Sequence, residues 1–449
     1  MNLRLPPARI AALAAIGLAS LVVTGACGSD REGFDPNGAS SGDGGSGGPG
    51  DFGQSSDASA DANVTPPRLG WVTGKVTAPE GTVPIRGALV YLTSTPPPAI
   101  PDGVHCDTCV TLTPYEGYAY SKSDGTFDVP VYKTGKQWIV TQKGQFRRVR
   151  ELDVQPGDQS VAGDVTRLPP ANDAANGDTI PKIAMAVGGF DRIDRSLKKL
   201  GVTEFYRYGD GPINIGGPPP GIKTGKTMRA LTQDVAELSK HHIVLMPCAA
   251  LGYTEGEGGN VCGVPQAAEK TAFGTYVDAG GKLYVTDFAY EAIRQTWPNM
   301  ITWFDNTMQP LTGTSSKQGH GCRGGAETNP GEAKDPGLAD WLTTIGHPNL
   351  ELKASWTRIQ KVDPQPGVDP DGNPTTITPK VWMTSKINAN LELPATVSFE
   401  QKCGRVLFST YHCEGDDGSQ LLAQEKALLY ILLEVGVCVG ELPPPPPPK

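Results

Sequence analysis

The chain has 449 residues, 38% of them hydrophobic and 19% charged, with 56 Gly, 41 Pro and a formal net charge of −9. That length predicts two or three domains. The acidic charge, spread along the chain with a pI near 5.3, excludes a basic nucleic-acid-binding surface as the main role.

The N-terminus sets the context for nine cysteines. Arg4 and Arg9 precede an apolar run over residues 10–23 that is too short and Ala-rich for a membrane span. The run ends in Thr24-Gly25-Ala26-Cys27. This resembles the lipobox of bacterial lipoproteins, with Thr24 standing where Leu or Val is commoner. The resemblance implies that residues 1–27 are a lipoprotein signal peptide and that Cys27 carries the lipid. It also implies the membrane as a partner through that lipid. Gly28 stands where an inner-membrane retention signal would place Asp, which implies the outer membrane. Eight cysteines then remain in an oxidising compartment, an even number for which disulfides are the default.

Residues 28–66 are Gly, Ser, Asp and Ala with almost no apolar side chains, and read as a disordered tether. Residues 67–170 change character. Short β-branched or aromatic runs at 71–76, 88–92, 118–121, 126–131 and 137–142 are separated by turn signals such as Ser123-Asp124-Gly125. Their spacing predicts a small antiparallel β-sandwich. Val72-Thr73-Gly74-Lys75-Val76, Pro84-Ile85-Arg86-Gly87-Ala88 and Ser123-Asp124-Gly125-Thr126-Phe127 resemble the carboxypeptidase-regulatory-like (transthyretin-like) domain. That resemblance implies a fold and no reaction; such modules act as spacers or adhesive units, and some bind carbohydrate.

Residues 179–440 read as an α/β domain. Apolar strand-like runs at 182–187, 203–208, 242–247 and 282–286 alternate with helical stripes at 190–200, 228–238 and 267–279. Asp191, Arg192, Arg195 and Lys198 are expected on the outward face of the first helix. Such alternation specifies a parallel sheet with ligands at the carboxyl ends of its strands. Residues 309–336 read as a long Gly-rich loop. Residues 397–400 and 405–411 read as a hairpin turning through Lys402-Cys403-Gly404, and 420–435 as an amphipathic helix. A Pro-rich tail covers 441–449.

The strand at 405–411 followed by His412-Cys413-Glu414 and a helix resembles the close of the class I glutamine-amidotransferase-like domain. In that family His-x-Glu activates a cysteine nucleophile. Here the expected nucleophile turn, Thr286-Asp287-Phe288-Ala289-Tyr290, has neither Cys nor flanking Gly. Cys248 ends the neighbouring strand at the same rim. Catalytic residues for a cysteine-dependent amide hydrolase would thus be Cys248, His412 and Glu414. Asp287, Glu291, His320 and His412 form a weaker oxygen/nitrogen metal set that nothing in their spacing demands, so neither metal nor cofactor is expected.

Four bridges are expected. Cys106 and Cys109 would form a small loop disulfide, with a thiol-redox pair as the competing reading. Cys403 would pair with Cys438 by reach, Cys248 with Cys262 across a Gly-rich loop, and Cys322 with Cys413. The fold class expected is multidomain, a small antiparallel β-sandwich followed by a flavodoxin-like α/β domain with a mostly parallel sheet. The function expected is an exported, lipid-anchored envelope protein. It would be a non-catalytic binding or structural module on a degenerate amidotransferase-like domain, with carbohydrate or envelope protein as partners and no nucleic acid.

Overall fold

The computed structural model describes residues 67–113, 115–186, 191–209, 222–224, 228–254, 261–305, 307–313, 322–413, 421–433 and 439–440. The leader, Cys27, the tether, His320, Glu414, Cys438 and the Pro-rich tail lie outside them.

The first strands are β1 (Gly70–Lys75), β2 (Leu89–Thr93), β3 (Tyr118–Tyr120), β4 (Thr126–Val131), β5 (Gly135–Lys143), β6 (Phe146–Val154), β7 (Gln159–Ser160) and β8 (Asp178–Thr179). They form a three-stranded sheet, β4-β1-β7, and a five-stranded sheet, β3-β2-β5-β6-β8. Alternate residues of β4 are buried, as a strand with one wet face requires: Phe127, Val129 and Val131 face inward while Asp128 is exposed. These side chains share one core with Val90, Leu92 and Ile139 of the second sheet.

A ten-stranded sheet follows. Its strands in chain order are β9 (Ile183–Ala186), β10 (Phe205–Tyr208), β11 (Ile222–Thr224), β12 (Ile243–Met246), β15 (Lys282–Thr286), β17 (Cys322–Ala333), β18 (Leu350–Thr357), β22 (Lys380–Asn388), β23 (Leu391–Gln401) and β24 (Gly404–Ser409). The intervening numbers belong to three two-stranded sheets: β13 (Tyr253–Thr254) with β14 (Val261–Cys262), β16 (Ile301–Trp303) with β19 (Ile359–Val362), and β20 (Gln365–Val368) with β21 (Pro374–Ile377). The strand order is β11-β10-β9-β12-β15-β24-β23-β22-β17-β18. The neighbours from β11 to β24 are parallel, and those from β24 to β18 are antiparallel.

This overturns the expected fold class. The sheet is mixed, several further sheets are antiparallel, and strand outweighs helix by 39% to 20%. The chain is β-rich with some helix and holds no flavodoxin-like domain with a mostly parallel sheet. The reason lies in β17, whose sequence CRGGAETNPGEA carries three Gly and a Pro. Those residues signal a loop, yet backbone pairing to β18 and β22 holds the segment extended. Similarly, β18 alternates buried Leu350 and Leu352 with exposed Glu351 and Lys353, a period of two within a stretch that reads as irregular.

The helices are α1 (Gly163–Thr166), α2 (Ile193–Lys199), α3 (Met228–Thr232), α4 (Val235–Leu238), α5 (Ala267–Asp278), α6 (Glu291–Thr296), α7 (Pro336–Thr344) and α8 (Ala423–Leu433). None among the described residues is long and apolar enough to cross a membrane. Successive residues of each central strand serve opposite cores. Ile183, Met185, Ile243 and Leu245 pack with Leu197 of α2 and Leu428 of α8, in a core continuous with that of the first two sheets. Ala184, Ala186, Val244 and Met246 pack with Phe273 and Tyr276 of α5 on the other face. Burial on both faces explains why these strands read as unbroken apolar runs. It also makes α8 buried almost all round instead of amphipathic: Gln424, Glu425 and every residue from 427 to 433 are buried.

The loop from β2 to β3 docks on the amino ends of the central strands. Val104 N–H donates to Ser239 O (2.9 Å). Lys182 pairs with Asp102 (2.5 Å) and Lys282 with Asp107 (3.1 Å). At this place Cys106 is bonded to Cys403 in the β23–β24 turn, with Cα atoms 4.9 Å apart. The expected Cys106–Cys109 and Cys403–Cys438 bridges are corrected accordingly. Reach along β24 and α8 gave no account of a loop arriving from a residue 297 positions away. Cys109 is also disulfide-bonded, so neither cysteine of the pair is a dithiol of a redox motif.

Candidate functional site

Three adjacent parallel strands, β12, β15 and β24, end at the same rim of the large sheet. Each delivers one polar side chain just past its last residue: Cys248 after β12, Asp287 after β15 and His412 after β24. One sulfur, oxygen or nitrogen atom of each lies within 4.8 Å of the others. The turns are tight. Asp287 has φ +45° and Ala249, next to Cys248, has φ +62°. Left-handed backbone is unfavourable for residues other than Gly, mildly so for Asp, and in native structures such outliers gather at functional sites.

The cluster is dry. Cys248 is 2% exposed, Asp287 0% and His412 6%. His412 Nε2 stands 3.2 Å from Asp287 Oδ2, and the Trp356 N–H donates to the same oxygen (3.1 Å). Asp287 Oδ1 accepts no aligned hydrogen bond among the described residues, although the Thr357 hydroxyl sits near the carboxylate. Burial pushes the Asp287 carboxyl up, and the His412 contact works in the opposite direction. Burial also pushes the Cys248 thiol up, reinforced by the Asp287 charge and offset in part by the Phe288 N–H. A thiol so placed is neutral, whereas a nucleophilic cysteine needs a stabilised thiolate.

Neighbouring groups fix the frame. Gln424 Nε2 donates to His412 O (2.9 Å), while its Oε1 accepts from the Lys353 N–H (2.8 Å). Asp191 takes the Thr286 hydroxyl at Oδ2 (2.7 Å) and the Cys413 N–H at Oδ1 (3.1 Å). Asp191 is therefore 1% exposed and faces the strand ends, not solvent as its helical position predicts. The signal for this was its place immediately before α2 at a strand–helix turn, where a buried Asp can hold two neighbouring chain ends together. Trp356 and Gln424 had no such signal, because they reach the cluster from elements distant in sequence.

The structure brings together Cys248 and His412 of the hydrolase reading and Asp287, which the sequence had joined to His412 only in a candidate metal set. Glu414 lies outside the described residues. Glu291 is committed elsewhere, in a buried pair with Arg294 (2.9 Å). The rim disulfides are not formed: Cys248, Cys262 and Cys413 are buried thiols. The loop between Cys248 and Cys262 is instead held by backbone pairing of Tyr253 with Cys262 and by Gly263 N–H to Gly252 O (2.8 Å). Cys413 turns into the core, where burial and the Asp191 charge push its thiol well up. A separate cleft, bounded by Ile85, Arg86, Trp341, Leu429 and Tyr430, includes none of the cluster residues.

No family model matches the chain, and no curated protein matches it. Solved structures give weak likenesses. A ThuA-like protein from Bacteroides uniformis shows 14% identity and a TM-score of 0.31, covering 58% of this chain and 94% of that one. A cytoplasmic protein from Salmonella typhimurium shows 10% identity and a TM-score of 0.33, covering 56% and 98%. A GH42 beta-galactosidase from G. stearothermophilus shows 12% identity and a TM-score of 0.28, covering 59% of this chain and only 32% of its own. Likenesses at these scores decide neither fold nor activity.

Proposed function

We infer that the protein is an exported, lipid-anchored envelope protein whose sheets together form a non-catalytic binding or structural module. The observation that carries this reading is the Cys106–Cys403 disulfide, which ties the β2–β3 loop to the β23–β24 turn. A structural bridge of this kind persists in an oxidising compartment and is rare in a reducing one. It supports the export read from the leader, and Cys27 is the natural point of attachment. The partners in this reading are the membrane, through the lipid, and carbohydrate or another envelope protein at the exposed surface.

Burial of the rim cluster supports the absence of hydrolase chemistry, since a substrate carbonyl must approach within about 3.5 Å of the attacking atom. The rival reading, a cysteine-dependent amide hydrolase, has one observation in its favour. Asp287 stands where an orienting carboxylate for His412 would stand, with Cys248 beside them. Two experiments separate the readings. Cys27→Ala should move the chain from the detergent phase to the soluble fraction, because the acyl chains supply the membrane affinity. Unchanged partitioning removes the anchor. Amide hydrolysis by the purified full chain that disappears in Cys248→Ser, with its melting temperature unmoved, replaces the module with the hydrolase.

A further inference from the structure

The geometry points to a binding site for a divalent metal ion of the zinc class, formed by Cys248, Asp287 and His412 at the carboxyl ends of β12, β15 and β24. The inference deepens the non-catalytic reading, on which it rests in one respect: the Cys248 sulfur serves as a ligand and not as a nucleophile.

Four observations carry it. The three candidate donor atoms converge within 4.8 Å of one another. Bonds of about 2.0–2.3 Å from a tetrahedral zinc ion to N, O and S place donors about 3.3–3.7 Å apart. The His412 Nε2 to Asp287 Oδ2 separation of 3.2 Å already lies close to that range, so an approach of up to about 1 Å by Cys248 completes the set. Secondly, Asp287 is fully buried, yet its Oδ1 accepts no aligned hydrogen bond among the described residues, with the Thr357 hydroxyl near the carboxylate. An orphaned carboxylate oxygen in a dry site carries a desolvation cost that a cation would remove. Thirdly, one sulfur, one nitrogen and one oxygen form the borderline donor set that zinc accepts, and unlike an all-oxygen set it does not suit magnesium or calcium.

The fourth observation is the support behind the donors. The Trp356 N–H holds Asp287 Oδ2, the Phe288 N–H faces the Cys248 sulfur, and Gln424 fixes the His412 backbone. Groups that orient ligands in this way are the usual companions of a metal site. Binding would displace the thiol proton to solvent, remove the proton between His412 Nε2 and Asp287 by moving it to His412 Nδ1 or to solvent, and leave a Cys248 thiolate, the Asp287 carboxylate and a neutral His412 on the ion, a net charge of zero for the ion and its three donors. Three protein donors leave a fourth tetrahedral position for water or for an anionic group of whatever the module binds.

The test uses the full-length chain, stripped with a chelator, with its disulfides intact. Cobalt(II) is titrated as a spectroscopic stand-in for zinc and followed by absorption. One equivalent should bind, with d–d bands of tetrahedral intensity and a sulfur-to-cobalt charge-transfer band. Cys248→Ser should abolish the charge-transfer band, and Asp287→Asn should weaken binding at least tenfold. In parallel, unaltered protein is alkylated during partial unfolding with and without zinc, so that the result does not depend on a variant folding. Zinc should slow labelling of Cys248 at least tenfold relative to Cys413. Absence of the charge-transfer band, its survival in Cys248→Ser, or equal labelling of Cys248 and Cys413 with zinc present would each overturn the site. If the metal fails while Cys248 stays unreactive in the folded chain, the module reading stands without it. A Cys248 that labels rapidly in the folded, metal-free chain and supports amide hydrolysis removes the module reading instead.

Discussion

Acid should unfold this protein through two buried histidines before its carboxylates titrate. His241 and His242 are 2% and 5% exposed, at the start of β12. His242 Nδ1 accepts the Lys182 N–H (2.9 Å) while Nε2 faces Pro101 O (3.1 Å), so the ring is neutral with its proton on Nε2. A second proton would set Nδ1–H against the Lys182 N–H. His241 Nε2 meets the Tyr208 hydroxyl (2.9 Å), whose own proton goes to Glu237 (2.9 Å). Burial, with Lys182, Lys240 and His242 adding to it and Glu237 opposing, pushes His241 down to about 4. Burial, with His105 and Lys282 adding and Pro101 O and Asp102 opposing, pushes His242 down to about 4.

In the unfolded chain both titrate near 6.5, so on acidification the unfolded state takes up protons first. Stability is complete above that value and declines as pH falls from about 6.5 toward 4, by about 2 kcal/mol for each ring at pH 5. The Asp287 carboxyl, raised by burial, takes up its proton in the folded state and works against the loss. Asp102, Asp178 and Asp194 are lowered, so their contribution is lost only below the histidine window. The assay is urea unfolding at pH 8 and pH 5. Wild type should lose several kcal/mol, and His242→Asn, whose amide oxygen can still accept the Lys182 N–H, should lose about 2 kcal/mol less over the same interval. Equal pH dependence in wild type and variant would refute the reasoning.

Three further outcomes follow from local geometry. Cys403→Ser opens a bridge spanning 297 residues; the chain-entropy model gives about 6 kcal/mol, readable as a fall in the unfolding midpoint, and reductant should lower the wild-type midpoint further than that of the variant, in which Cys109 is still bridged. Glu425 is 0% exposed and accepts from the Ser196 hydroxyl (2.5 Å), the Leu422 N–H (2.6 Å) and Lys199 Nζ (3.2 Å). Glu425→Ala should therefore cost about 3–5 kcal/mol in urea unfolding, and a cost under about 1 kcal/mol would show that the network is not formed. A Cβ at Gly404 would stand 2.0 Å from Val277 O and 2.4 Å from Gly281 O, whereas one at Gly274 in α5 meets nothing within 4 Å. Gly404→Ala should destabilise by about 3 kcal/mol or more and Gly274→Ala should stabilise by about 0.5–1 kcal/mol in thermal melts, an ordering whose reversal would contradict the packing of β24 against α5.

The parallel half of the large sheet was legible from its central strands, which are buried on both faces: IAMA in β9 and IVLM in β12 carry nothing but apolar side chains. The hairpin through Cys403 was legible from its turn, and the pairing Glu400 to Arg405 agrees with it. The antiparallel half was hidden, since β17 mixes Gly, Pro and charge, and long-range pairing overrode those local signals. In the candidate site, Cys248 and His412 were found because residues after strand ends of one sheet meet at one rim. Asp287 was joined to His412 only in a candidate oxygen/nitrogen metal set, because the turn it occupies lacks the cysteine sought there. Cysteine pairing was the least legible feature. It depends on the β2–β3 loop lying across the strand starts, held by Val104, Asp102 and Asp107, contacts between segments far apart in sequence that no local pattern encodes.

Which cysteines are bridged and which are buried thiols decides both the compartment and the chemistry of the rim. Peptide mapping without reductant, after alkylation of the folded chain, measures both at once. A cross-linked peptide containing Cys106 and Cys403 is expected, with Cys248, Cys262 and Cys413 taking up label only after unfolding. A Cys106–Cys109 peptide, or a Cys248 labelled in the folded state, would contradict that assignment.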